Sequence, residues 1–192
     1  MKTYEIKIKN MEGSPIVCNT RQRVLDLEIK ELKKNEIEEW EEKNWLRKAV
    51  TNGKGEVLLK QEWLRGMLIN AAKGSRLVPH FATSKKETYT KYIKSLAILD
   101  QPILSHRDDF EPWGTFVNGN PSSYRNSSKV WKIRPLLEKW NVTFKIIDPF
   151  GRMKKSELKE LLEYGGMIVG IGDARELRYG RFIVESIKEV NN

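Results

Sequence analysis

Three arginines, Arg175, Arg178 and Arg181, stand three residues apart in a stretch that also holds five of the chain's 13 glycines, Gly165, Gly166, Gly170, Gly172 and Gly180. A guanidinium presents a planar fork of donors that fits phosphate oxygens. Glycine, lacking Cβ, takes positive φ and lets another molecule come close to the backbone. The pattern points to anion gripping, with the three arginines contacting phosphate and Gly170, Gly172 and Gly180 permitting close approach. Asp173 and Glu176 lie in the same stretch and work against it. A plain structural turn with solvated arginines is the alternative, and this stretch alone does not remove it.

Proton-transfer chemistry has two histidines to draw on, His80 and His106, each on an expected loop near an arginine, Arg76 and Arg107 respectively. Either could act as general acid or base while the arginine stabilises charge on a phosphorane-like centre. A histidine on a basic loop is more often a surface or phosphate-contacting residue. Metal-assisted cleavage needs convergent carboxylates. Asp108, Asp109 and Glu111 form the one compact set away from the acidic helix, with Asp26 standing apart, and neither spacing is diagnostic. No metal or cofactor is expected. There is no Walker loop, no His-Glu-x-x-His and no Gly-x-Ser-x-Gly. Gly170-Ile171-Gly172 lacks the third glycine and the following helix of a dinucleotide fingerprint.

The balance of charge points the same way as the arginines. The chain has 192 residues and a net charge of +9. Between Asp26 and Glu42 lie eight acids and three lysines, which leaves 32 of the 35 bases and 18 of the 26 acids for the remainder. A basic surplus of that size suits a polyanion, and nucleic acid is the commonest in a cytoplasm. Cys18 is the single cysteine, so no intrachain disulfide and no cysteine-rich zinc site is expected. No apolar run approaches a membrane span and the N-terminus lacks a signal-peptide core, so the expected location is cytoplasmic. The length suits one domain.

The elements that must position these residues are legible from periodicity. Tyr4, Ile6 and Ile8 alternate with Glu5, Lys7 and Lys9, which predicts a half-buried strand over 4–11. A charged helix is expected over 36–50, its acidic face either plain solvent-facing surface, a screen against nucleic acid, or a contact for a basic neighbouring subunit. Trp63, Leu64, Met67, Leu68, Ala71 and Ala72 give a core helix over 61–73 that Gly74 stops. A short helix follows over 85–93, then a strand over 96–104 interrupted near Pro102. Residues 105–128 form a long irregular segment, with 115–120 as a hairpin tip because Asn118-Gly119 favours a tight turn. Its aromatic and basic residues, Trp113, Phe116, Tyr124 and Arg125, suit base stacking beside phosphate contacts; anchoring of Trp113 and Phe116 to the core is an equal alternative. Residues 129–147 read as one bent strand or two, broken at Pro135-Leu136-Leu137. A helix over 154–163 with Leu158, Leu161 and Leu162 buried, and a strand over 180–188, close the chain.

The strongest elements follow in the order β-α-β-β-α-β, which predicts an α+β, ferredoxin-like (RRM-type) core with helices on one face of an antiparallel sheet. Insertions fall after the first strand (24–50) and between the middle strands (105–128). The open sheet face is one that RNA-recognition modules use.

Two stretches then resemble the RAMP superfamily of CRISPR proteins, whose domains are ferredoxin-like. One is Val57-Leu58-Leu59-Lys60-Gln61-Glu62-Trp63-Leu64-Arg65-Gly66-Met67-Leu68, an extended entry into a helix with an arginine-glycine step. The other is Gly170-Ile171-Gly172-Asp173-Ala174-Arg175-Glu176-Leu177-Arg178-Tyr179-Gly180-Arg181-Phe182, a glycine-rich loop near the C-terminus. The resemblance spans most of the chain in element order, through short and degenerate motifs. It implies a compact, stand-alone relative of the backbone subunits of CRISPR effector complexes, of the kind a phage or another mobile element carries. Such subunits bind a guide RNA in several copies, for recognition of complementary DNA or RNA. The 105–128 insertion then corresponds to a thumb that bends the RNA. Arg65, Lys73 and Arg76 join the candidate RNA contacts. Two other functions stay open at this point: a guide-processing endoribonuclease acting through His80 or His106, and an inhibitor that imitates a CRISPR subunit.

Overall fold

The computed structural model describes residues 1–20, 23–33, 36–75, 77, 79–81, 86–99, 101–118 and 129–190. Its strands are β1 (Lys2–Asn10), β2 (Ile16–Val17), β3 (Glu56–Leu58), β4 (Ala97–Leu99), β5 (Ile103–His106), β6 (Glu111–Asn118), β7 (Lys129–Leu137), β8 (Asn141–Asp148) and β9 (Phe182–Val190). Its α-helices are α1 (Arg23–Glu31), α2 (Ile37–Asn44), α3 (Gln61–Gly74), α4 (Lys86–Ser95) and α5 (Lys155–Tyr164).

The alternation in β1 does what it predicts. Tyr4, Ile6 and Ile8 are buried, and β1 pairs antiparallel with β8 on one side and β9 on the other. With β4 on the far edge of β8, the four strands run in the order β4-β8-β1-β9. Val142, Phe144 and Ile146 of β8 and Phe182 and Ile187 of β9 join the same buried side. Against it pack Leu64, Met67, Leu68, Ala71 and Ala72 of α3 and Leu158, Leu161 and Leu162 of α5. Each large aliphatic side chain buried there contributes about 1.5–3 kcal/mol. The architecture is α+β with antiparallel sheets.

α3 ends within one residue of the expected place, taking in Gly74, where a Cβ would lie 2.9 Å from the Tyr164 hydroxyl. The segment over 96–104 is not one strand. At Pro102 the chain leaves the central sheet, so β4 pairs with β8 whereas β5 pairs with β3. Residues 129–147 resolve into two strands of different sheets, β7 in a three-stranded sheet of order β2-β7-β6 and β8 in the central one. Pro135 does not break β7. Its carbonyl points away from β6, accepting a hydrogen bond from Cys18 N (2.8 Å), so its missing N–H leaves no gap in the β6 ladder. Much of the segment expected to be irregular is therefore the hairpin β6–β7. It stays paired out to Asn118 and Lys129, so Thr115–Asn118 is strand rather than tip. The expected turn at Asn118-Gly119 reaches beyond the described residues.

The acidic segment folds as α1 and α2, and α2 runs into a 3-10 turn, Trp45–Lys48. Its acids are not all solvent-facing. Glu41 is buried in an ion pair with Lys48, and the two side chains close the open edge of β7. Ile133 N donates to Glu41 Oε2 (2.8 Å), and Lys48 Nζ donates to Ile133 O (2.6 Å). A backbone donor and acceptor that would otherwise be buried unpaired are thus satisfied. Burial pushes the Lys48 ammonium below its ordinary pKa against the pull of Glu41, with Lys132 and Arg134 adding to the lowering.

Candidate nucleic-acid interface

The glycine stretch starts as a continuation of α5. The last turn of the helix passes into a π turn, Gly165–Val169, pressed so closely on α3 and β9 that a Cβ on Gly165 would lie 2.2 Å from Met67 Sδ. Beyond it the chain doubles back on itself, Ile171 N donating to Gly180 O (3.0 Å). Gly180 has φ +69°, and a Cβ there would lie 1.7 Å from Ile171 O. Gly172, with φ +82°, faces Val17 O, and Gly170 faces the backbone of Tyr179 and Gly180. The close approach that Gly170, Gly172 and Gly180 permit in this structure is therefore to the chain's own backbone, and all three are buried. They fold the loop into a ledge.

The arginines stand on that ledge. A 3-10 turn, Arg175–Leu177, is flanked by two non-glycine residues in the left-handed region, Ala174 (φ +56°) and Arg178 (φ +66°). Such residues cost on the order of 1–3 kcal/mol each and need support from their surroundings. Ser14 supplies it for Arg178: its hydroxyl donates to Arg178 O (2.8 Å) and accepts from Arg181 N (2.8 Å), while Gly180 N donates to Pro15 O (2.7 Å). Arg175 and Arg178 are exposed and Arg181 is half-buried. One Arg181 nitrogen, Nη2, donates to Arg175 O (3.4 Å), whereas Nε and Nη1 are buried with no partner among the described residues. Burial first, and then the charges of Arg178 and Arg175, push the Arg181 guanidinium below its ordinary pKa. The cluster is a concentration of positive charge, exposed at Arg175 and Arg178.

Asp173 does not oppose that cluster. Its carboxylate turns to Arg134 of β7 (Nη1–Oδ2 3.3 Å) and accepts from Asn19 Nδ2 (3.0 Å). Asp173 N donates to Val17 O, so β2 is stitched to the loop on one side and to β7 on the other. The Arg134 guanidinium also lies over the Trp113 ring (5.8 Å), and Trp113 meets Tyr179 edge to face (5.6 Å). Trp113 thus anchors the hairpin to the loop. Phe116 does not share that contact. It leaves the opposite face of β6, stays 60% exposed, and packs on Trp131 (4.8 Å between ring centroids). Trp131 carries no periodicity or motif signal of its own in the sequence; the small residue Gly114, over which its indole lies, is the one trace of it. Glu176 is exposed on the turn.

The other candidates are dispersed. Arg65 Nη2 donates to Lys94 O (2.9 Å) and caps α4, while Lys73 is exposed in the last turn of α3. Arg76, Tyr124 and Arg125 lie outside the described residues. His80 serves α5: its Nδ1 and its backbone N both sit 2.7 Å from Glu157 Oε1, and Lys154 N donates to Glu157 Oε2 (2.8 Å). Burial alone would raise the Glu157 carboxyl, but these hydrogen bonds hold it below its ordinary value. His106 Nδ1 is 3.2 Å from Asp108 Oδ2, and its other nitrogen faces Gly55. Each histidine is thus engaged with its own carboxylate on separate elements. Asp109 accepts from Ser105 Oγ and His106 N within its own turn. Among the described residues no group of three or more His, Cys, Asp or Glu side chains could hold a metal ion, and no helix is long and apolar enough to cross a membrane.

The open face of the central sheet is cationic but carries no ring among its described residues. Lys7 and Lys9 both pair with Glu185 (3.0 and 3.1 Å), while Tyr4 and Phe144 point into the core. A cleft of about 530 Å³ lies elsewhere, lined in part by Arg47, Thr51 and Arg107, with Arg47 already held by Glu28 through two 2.8 Å bonds.

No protein-family model matches the chain, and no curated protein matches its sequence. Among solved structures it shares its fold with a chain of the Type III-B Cmr-beta bound to cognate target RNA, determined by cryo-EM. The two are 10% identical with a TM-score of 0.58, over 99% of this chain and 61% of that one. The chain spans about three fifths of the length of that neighbour.

Proposed function

We propose that the chain is a non-catalytic RNA-binding protein that coats a guide-type RNA in several copies and presents it to a complementary DNA or RNA target. The observation that carries this is the Arg181 guanidinium, with two buried donors unpaired among the described residues and Arg175 and Arg178 beside it, on a ledge whose Asp173 carboxylate is turned to Arg134 while Glu176 stays exposed on the turn. A phosphate diester supplies the counter-charge that this cluster lacks, meeting it first at the exposed Arg175 and Arg178. The fold supports the reading. We read β1, α3, β4, β8, α5 and β9, with the sheet order β4-β8-β1-β9, as a ferredoxin-like core, and the neighbour of like fold is part of a structure bound to target RNA. In this reading 24–50 is an acidic helical insertion, 105–128 is a thumb-like one, and the protein is cytoplasmic. The roles of Arg65, Lys73, Arg76, Tyr124 and Arg125 belong to the same proposal.

The test is titration of a labelled single-stranded RNA across a range of salt concentrations, alongside sequencing of any RNA that copurifies. Replacing Arg175, Arg178 and Arg181 together by alanine should weaken binding and reduce the slope of log K against log salt by about 2. Wild-type protein that is purified free of nucleic acid, and does not change in size when RNA is added, overturns the proposal.

A further inference from the structure

We infer that Phe116 and Trp131 form a stacking site for an unpaired nucleobase, on the face of the β6–β7 hairpin opposite the one that carries Trp113. The inference rests on the nucleic-acid reading above and adds to it what part of the polymer is held, and where.

Register separates the two faces. Phe116 stands opposite Trp131 and Trp113 opposite Arg134. Cross-strand partners share a face, and residues three apart on a strand do not. Trp113 and Arg134 therefore belong to the side fastened to the glycine loop, and Phe116 and Trp131 to the other. On that second side a Cβ on Gly114 would lie 2.2 Å from the Trp131 ring. The glycine admits the indole against the strand, which leaves it half-buried and fixed. Phe116 tilts against it at 56° and remains 60% exposed. A phenyl ring gains free energy in proportion to the apolar area it removes from water, and this one leaves most of that gain unrealised.

The flanking residue tells what covers it. Lys129 lies two residues before Trp131, so it shares that face about 7 Å further along the strand, and it is exposed. A ring platform with a cation one step away matches a nucleotide, whose base stacks while its phosphate meets the ammonium. Every base has a π face, so the site accepts single strands with little preference for sequence. The hairpin thereby divides its work, one face holding it to the arginine ledge and the other open to a base.

The experiment uses the full chain, treated with nuclease to remove bound nucleic acid, and labelled oligouridine and oligoadenosine as probes. Phe116→Ala, a change at an exposed position, should lower affinity for both by about tenfold while leaving the salt slope unchanged, and Phe116→Tyr should restore it. Trp131→Phe should lose part of the tryptophan quenching that accompanies binding. If Phe116→Ala binds as wild type while the triple arginine variant is weakened, the stacking site is wrong and the nucleic-acid reading stands. If wild type binds neither probe, both fail. If Phe116→Ala instead changes the size of the nucleic-acid-free protein and leaves probe affinity alone, the patch is a contact between copies and the inference is overturned.

Discussion

Removing the Asp173 carboxylate separates two roles for the acid in the arginine loop. If Asp173 anchors, Asp173→Ala leaves the Arg134 guanidinium, whose side chain is 9% exposed, without its counter-charge. Loss of one partner from a fully buried pair costs about 3–5 kcal/mol. The Asp173 side chain is itself 36% exposed and the pair is 3.3 Å long, so water takes over part of its role and the expected loss is about 1–3 kcal/mol. In urea denaturation this appears as a lower midpoint with an unchanged slope, and in a thermal scan as about 2–4 °C for each kcal/mol. Arg134→Met alone should cost less than Asp173→Ala, because it leaves the better solvated partner behind. The double variant should show a coupling energy of at least about 0.5 kcal/mol. If Asp173 instead acts by repelling phosphate, Asp173→Ala strengthens RNA binding and leaves stability alone. Stability within about 0.5 kcal/mol of wild type, with strictly additive single and double changes, would refute the anchoring argument.

Gly66→Ala should stabilise the protein by about 0.5–1 kcal/mol, since Gly66 lies inside α3 and a Cβ there meets nothing within 4 Å. Gly180→Ala should cost about 2 kcal/mol or more, from its left-handed φ and the collision with Ile171 O; equal midpoints for the two variants in urea would contradict this. At low pH the Glu157 cap should fail. Its carboxyl is depressed in the folded state, so it contributes stability above the ordinary glutamate range and loses it as pH falls through the folded value. Glu157→Gln should lower stability at neutral pH and flatten the acid limb of stability against pH; an acid limb parallel to that of wild type would exclude the cap as its source.

How much of this was legible in the sequence depends on how local the determining physics is. Period-two alternation in 4–8 and apolar stripes in 61–72 and 158–162 are dictated by one element facing one core, and the structure follows them. The exit of the chain from the central sheet at Pro102, and the survival of β7 through Pro135, depend on which strand lies alongside and which way one carbonyl points. Nothing in 129–137 carries that information. Charge behaves similarly. Of eight acids between 26 and 42, Glu41 alone is buried, because an open strand edge 92 residues away needs an acceptor. The glycine loop shows the limit most clearly. Composition reveals that something must come close to Gly170, Gly172 and Gly180, but not that the approaching atoms are the chain's own carbonyls. The arginines gain by this. If the loop meets phosphate as proposed, its closure on itself, braced by Ser14 and tied to β7 through Asp173, orders the backbone that carries the arginines before any ligand arrives, so less ordering entropy is lost on binding. The glycines therefore act at one remove, by making rigid the surface from which Arg175, Arg178 and Arg181 project.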